Sequence, residues 1–159
     1  MESVYVETSV ISYLTSRPSR DLIAAAHQQI TWDWWEGKRR DFDLFVSELV
    51  LDEVRAGDPD AARRRLALVE DLGRIAITPE VIRFARRLVE QLVIPRAAEV
   101  DAFHVAAATV NGMDYLLTWN CRHIANARVE RIVRAEARAL GFEAPVICTP
   151  EGLLGESHA

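Results

Sequence analysis

The sequence predicts an α/β domain with a mainly parallel sheet covered on both faces. Two observations predict it. Short β-type runs alternate along the whole chain with longer stretches of helical periodicity. The composition is ordinary for a packed core: 159 residues, 50% hydrophobic and 27% charged. That length matches one domain of roughly 150 residues and is enough to fold without staples.

The elements follow in order. Val4-Tyr5-Val6 is a β-type run. Thr8 and Ser9 can cap a short apolar helix built on Val10, Ile11, Tyr13 and Leu14, which Arg17-Pro18-Ser19 breaks. A second helix is predicted over 21–35, with Gly37 as its stop. Residues 41–46 (DFDLFV) alternate polar and apolar and read as a strand. A helix over 48–56 stops at Gly57, and Asp58-Pro59-Asp60 opens another that runs to Leu72. Residues 74–77 form a strand. Thr78-Pro79-Glu80 caps a helix that runs to about Val93 and is closed by Pro95. Residues 98–111 form a helix with Gly112 behind it, and 114–118 (DYLLT) a strand of buried type. Residues 122–140 read as mostly helical with a break near Asn126. Residues 145–149 form the last strand and 150–154 a final helical turn. Residues 1–154 are expected to form one domain and 155–159 a loose tail.

Composition excludes several classes. Cys121 and Cys148 have no CxxC spacing, so a disulfide scaffold and a zinc knuckle are disfavoured and a reducing cytoplasm is the expected compartment. No basic region precedes an apolar run at the start, so no signal peptide is expected. The apolar stretch from Val105 to Val110 is too short to span a bilayer. A net charge of −5 argues against a surface that binds nucleic acid everywhere, although carboxylates can hold a cation against a nucleic-acid substrate. Lys38 is the only lysine, so nearly all positive charge is arginine. Genomic base bias explains this as readily as function does.

In α/β sheets, sites lie at the carboxyl ends of strands. Glu7 directly follows the first strand, and Asn120 follows the strand over 114–118 after Trp119. A strand-end glutamate is ordinarily just solvated, so Glu7 alone says little. Glu53 says more. Glu48, Asp52 and Arg55 share the solvent face of their helix, whereas Glu53 falls between Leu49 and Val50 on the apolar side. A carboxylate there is paired, hydrogen-bonded, bound to a metal, or reaches back to water. Asp101 stands in the first turn of a helix apolar nearly all round, with no basic partner at 104 or 105. It is either a partner of the helix dipole or a buried functional acid, and the expected depth favours function.

His104, one turn on, reads as a satisfied core histidine. His123 lies just past a strand end and is either a site residue or part of the next helix's cap. Phosphate loops, dinucleotide fingerprints, nucleophile elbows and zinc helices are all missing from the sequence. Cys121 beside His123 lacks a third orienting group, so a nucleophilic pair is discounted. Trp32, Trp34 and Trp35 suit helix packing or a protein interface better than base stacking. The run Arg63-Arg64-Arg65 reads as a solvated helix face. What remains is a set of oxygen donors from distant parts of the chain. Such sets suit Mg²⁺ or Mn²⁺ and phosphodiester hydrolysis.

Four segments in order carry a resemblance: Glu7-Thr8-Ser9-Val10 after a strand, Ser47 to Gly57 (SELVLDEVRAG), Asp101 to Ala108 (DAFHVAAA), and Tyr115 to Asn120 (YLLTWN). Together they resemble a PIN domain, nearest to the VapC-type toxins of type II toxin–antitoxin pairs. The resemblance covers nearly the whole chain. It implies a three-layer α/β/α sandwich and a Mg²⁺- or Mn²⁺-dependent endoribonuclease. It also implies a homodimer held by a cognate antitoxin, and RNA as substrate. Residue by residue, it places Glu7, Glu53, Asp101 and Asn120 in the catalytic set. Glu7, Glu53 and Asp101 are the expected metal ligands, and Thr8, Ser9 and His123 their supports.

Two positions depart from the commonest family pattern, which has an acid at the fourth and aspartate at the first. Glutamate at position 7 lengthens the arm by about 1.5 Å. Asn120 keeps an oxygen but removes a charge. The expectation is therefore a one-metal site on Glu7, Glu53 and Asp101, with Asn120 on a water of the cation's shell or a substrate phosphate, and weak catalysis. Arg17, Arg20, Arg39 or Arg40 are the candidates to guide an RNA backbone. Two other classes compete: a PIN-like RNA- or protein-binding module with lost catalysis, and a small phosphatase or other metal hydrolase on the same kind of sheet.

Overall fold

A computed structural model describes residues 1–91 and 93–155. Five strands form one sheet: β1 (Glu2–Val6), β2 (Phe42–Val46), β3 (Gly73–Arg74), β4 (Tyr115–Leu117) and β5 (Val146–Cys148). Their order is β3-β2-β1-β4-β5, and every pairing is parallel. The first strand is thus the central one. The chain steps outward from β1 through β2 to β3, then crosses back to lay β4 and β5 on the other side. The reversal places a crevice at the carboxyl ends of β1 and β4. There the two strand ends are joined, since Glu7 N–H donates to the Leu117 carbonyl at 3.0 Å.

The helices are α1 (Thr8–Thr15), α2 (Leu22–Gly37), α3 (Glu48–Val54), α4 (Pro59–Val69), α5 (Pro79–Glu90), α6 (Glu99–Val110), α7 (Ala127–Ala139) and α8 (Pro150–Leu154). Helices α1 to α4 and α8 pack on one another, and α5 packs on α6 and α7. This is the three-layer α/β/α sandwich. Val4, Tyr5 and Val6 are fully buried, as befits a central parallel strand covered on both faces. Helix α6 is buried on most of its circumference, with Ala102 and Val105 to Ala108 wholly inside. Its alanines let it lie close to the sheet. It closes in a Schellman motif: Gly112 has φ +68°, its N–H reaches the Thr109 carbonyl, and Met113 N–H reaches that of Ala108.

Several expected boundaries move, each for a local reason. The helix predicted from 122 begins at Ala127. Before it, Asn120 and Asn126 hold a compact turn: Asn120 Oδ1 accepts from His123 N–H, and Asn126 Nδ2 donates to the carbonyls of Cys121 and Arg122. Asn126 Oδ1 then caps α7 by accepting from Val129 N–H. The strand predicted over 74–77 is only Gly73–Arg74, because beyond Ile75 the Ala76 carbonyl is taken by Asn111 Nδ2. The helix predicted to Val93 ends at Glu90. Residues 156–159 of the expected tail lie outside the described residues.

Trp34 and Trp35 are in the core, which bears out helix packing for these two, while Trp32 is exposed. Arg65 is not simply a solvated residue. Its guanidinium donates to the carbonyls of Val54 and Ala56, satisfying the open end of α3. No helix among the described residues is long and apolar enough to cross a membrane.

Candidate active site

Glu7 leaves β1 and becomes the N-cap of α1. Its carboxylate is buried, at 5% exposure, and accepts from three donors. Ser9 N–H reaches Oε2 at 3.1 Å, and the Ser9 and Thr118 hydroxyls each reach Oε1 at 2.5 Å. Both hydroxyls are themselves acceptors. Trp119 N–H donates to Ser9 Oγ, and Asn120 N–H to Thr118 Oγ1. Glu7 therefore ties the end of β1 to the turn after β4 while capping a helix. Burial of this charge is balanced by charge-assisted hydrogen bonds.

Glu53 stands on α3, which meets α6 over the sheet's end. Its side chain is 38% exposed, so it faces the crevice rather than the core. Oε1 accepts from Thr8 Oγ1 at 2.9 Å and from His104 Nε2 at 2.5 Å. Burial works to raise its pKa. The hydrogen bond from His104, that ring's charge and the Thr8 hydroxyl outweigh it, and the carboxyl sits below its ordinary value.

His104 is wholly buried. The core reading of this histidine holds, but its partner is a carboxylate of the site. Its other ring nitrogen, Nδ1, is 2.7 Å from the Tyr5 hydroxyl, which is 2.8 Å from Ser47 Oγ. Burial pulls the ring's pKa down. The bond to Glu53 and the charges of Glu7, Glu53 and Asp101 outweigh it and hold it above the ordinary value. Burial likewise lifts the Tyr5 phenol above its usual range.

Asp101 lies in the first turn of α6, half-buried, and its carboxylate makes no hydrogen bond among the described residues. Asn120 has Oδ1 engaged in the turn, while its Nδ2 has no partner among the described residues. His123 meets the site only through its backbone N–H. Arg39 and Arg40 stand just before β2, at the opposite end of the sheet from the crevice. Arg39 there covers the Trp35 ring at 4.6 Å.

Thr118, Tyr5 and Ser47 escaped sequence reasoning. Strand alternation puts Tyr5 on the same face as Glu7, and His104 follows Asp101 by one turn. Those two spacings were the available signal. Ser47 and Thr118 lie inside the segments that carry the family resemblance, but nothing in the sequence marked their hydroxyls as partners of the site.

No group of three or more His, Cys, Asp or Glu side chains stands ready as an ion-holding cluster among the described residues. The donor chemistry nonetheless fits a hard cation. Glu53 Oε2 and both Asp101 oxygens are uncommitted, Glu7 Oε2 accepts only one bond, and every donor is oxygen. Mg²⁺ and Mn²⁺ keep several waters and need only one or two direct carboxylates.

The PIN domain family profile matches residues 4–129. No curated protein matches the chain in sequence. Among solved structures, the chain resembles VapBC2 from Rickettsia felis bound to a DNA fragment from its promoter (13% identity, 92% of this chain and 98% of that one, TM-score 0.57). It also resembles VapBC-1 from nontypeable Haemophilus influenzae (12% identity, 93% and 98%, TM-score 0.58). A third is the Mycobacterium tuberculosis toxin VapC20, which cleaves the sarcin–ricin loop (18% identity, 87% and 95%, TM-score 0.50). At these identities the likeness is one of fold.

Proposed function

This chain belongs to the PIN domain family, and from that premise we propose that it is a divalent-metal-dependent endoribonuclease and the toxin of a toxin–antitoxin pair. The observation that carries the reading is that three acids from separate segments converge at the strand ends: Glu7 bonds Thr118 there, Glu53 is bonded by Thr8 beside Glu7 and by His104, and Asp101 stands one helical turn before His104 on α6. The fold shared with VapC20, a toxin that cleaves the sarcin–ricin loop, supports RNA as the substrate class. The fold shared with chains of two VapBC assemblies supports a cognate antitoxin; the homodimer is proposed on the family resemblance alone.

In this reading Glu53 and Asp101 hold Mg²⁺ or Mn²⁺, with Glu7 Oε2 as the third ligand. The cation, when bound, polarises a phosphoryl oxygen and lowers the pKa of water. Asp101, free of hydrogen bonds, accepts the proton of the attacking water. Asn120 Nδ2 donates to a non-bridging phosphate oxygen. Thr8 holds Glu53 and Ser9 holds Glu7, so neither acid is free to swing. His123, bonded through its N–H to Asn120, steadies the turn that presents that amide.

A second reading, a PIN-like RNA- or protein-binding module with weakened or lost catalysis, is favoured by one observation. Glu7 is engaged by three donors as a cap, which leaves it little capacity as a ligand. The deciding experiment incubates purified protein with a mixed structured RNA pool in EDTA, Mg²⁺ or Mn²⁺, beside Asp101→Ala. The nuclease reading expects cutting that needs the metal and falls at least a hundredfold in the variant, since removing one catalytic group costs about 10²–10⁴. No cutting with any metal, in folded protein free of antitoxin, overturns it in favour of the binding module.

A further inference from the structure

Tyr5, Ser47 and His104 form a buried polar chain that ends on Glu53. All three side chains are wholly buried. The chain joins four elements: Tyr5 from β1, Ser47 at the end of β2, His104 from α6 and Glu53 from α3. Three buried polar side chains in a core this apolar cost stability unless fully paired. Core packing alone would be served as well by Phe, Ala and Leu.

The hydrogen inventory gives the chain a fixed sense at one end. Glu53 can only accept, so His104 Nε2 carries the proton that faces it. With a neutral ring, Nδ1 accepts from the Tyr5 hydroxyl, and Tyr5 accepts from Ser47. With a charged ring, Nδ1–H donates to Tyr5, and Tyr5 donates to Ser47. The neutral arrangement gives every hydroxyl proton an acceptor within the chain, the charged one leaves that of Ser47 without one among the described residues, and both keep the proton on Nε2. The wrong neutral tautomer would face a lone pair toward a carboxylate.

We propose that His104 is a positioning residue whose Nε2–H, fixed from behind by Tyr5 and Ser47, holds Glu53 Oε1 so that Oε2 alone is presented to the cation. The inference rests on the metal-dependent reading of the site. It resembles the general way in which a ligand's outer partner fixes its orientation, a contact whose loss lowers metal affinity about 10- to 100-fold. Thr8 donates to the same oxygen from the opposite segment. Glu53 Oε1 is thus saturated by two donors, and the half-exposed carboxylate is held in one rotation.

The test measures Mn²⁺ binding by calorimetry and by the electron paramagnetic resonance of free Mn²⁺, with nitrogen-15 NMR of the histidines in metal-free protein. The variants are Tyr5→Phe, His104→Leu and His104→Gln, each checked for folding by its thermal melt. Wild type is expected to show a solvent-protected Nε2–H resonance from His104. His104→Leu is expected to bind Mn²⁺ at least tenfold more weakly. His104→Gln, which returns an N–H donor, recovers part of that loss, and Tyr5→Phe binds about threefold more weakly with its fold intact. Mn²⁺ affinity unchanged in folded His104→Leu and Tyr5→Phe overturns the proposal and leaves the metal reading standing. Wild type that binds no Mn²⁺ overturns both. An unprotonated Nε2 overturns the positioning role whatever the affinities.

Discussion

Glu7 and Asp101 are both acids of the crevice, yet they are held by opposite means. Glu7 accepts from three donors and caps α1, whereas Asp101 makes no hydrogen bond among the described residues. Their alanine variants should therefore part company in urea unfolding. Glu7→Ala removes a cap worth about 1 kcal/mol and strands two hydroxyls, for a total loss of about 1–3 kcal/mol. Asp101→Ala loses at most about 1 kcal/mol of dipole interaction. Equal losses in the two variants would show that Glu7 is not the cap described. The same contrast gives physical content to the glutamate at position 7. Its longer arm reaches Thr118 across the gap between strands, which links two elements that an aspartate's shorter arm spans less readily.

At the scale of elements, the helices that carry the site are fastened at their ends. Arg65 satisfies the carbonyls at the end of α3, and Asn126 caps α7 behind the turn that presents Asn120. Asn126→Ala removes that cap and the two turn bonds of Nδ2, so its unfolding free energy should drop by about 1–2 kcal/mol. A change under about 0.3 kcal/mol would mean that water replaces the cap at no cost. These ends also mark what a sequence can reveal. Thr78-Pro79 and Asp58-Pro59 announce their helices by local chemistry, and both caps are present. The apolar circumference of α6 announced a central helix. The break at Asn126 was legible, but not that residues 121–126 form a turn, because its asparagines bond backbone that also fits a helical pattern. Glu53 was legible from its helical phase, but its partner was not. Residues 5, 47 and 104 share no local pattern, and only the folded sheet brings them together.

For the whole molecule, the arrangement of acids predicts a linkage between metal and stability. An ion that binds the native crevice and not the unfolded chain raises stability by about 2.7 kcal/mol at a hundred times its dissociation constant. The thermal midpoint should rise with Mn²⁺, return with EDTA, and rise less in Glu53→Gln. A midpoint indifferent to Mn²⁺ at millimolar concentration would contradict a working cation site. No single segment would account for the effect, since the proposed ligands come from β1's end, α3 and α6.

The central place of β1 has a consequence for how the protein is made. Its first strand is finished within six residues, but the partner that closes its crevice edge, Thr118, lies 111 residues further along. Strand β1 must wait for β2, β3 and six intervening helices before β4 can pair with it. Non-local pairing of this kind is slow and comes late in folding. During synthesis the emerging chain therefore carries Glu7, Glu53 and finally Asp101 as separate acids on unfinished layers. Completion of the sheet is the event that assembles them, so the crevice does not exist until β4 has been made and paired with β1.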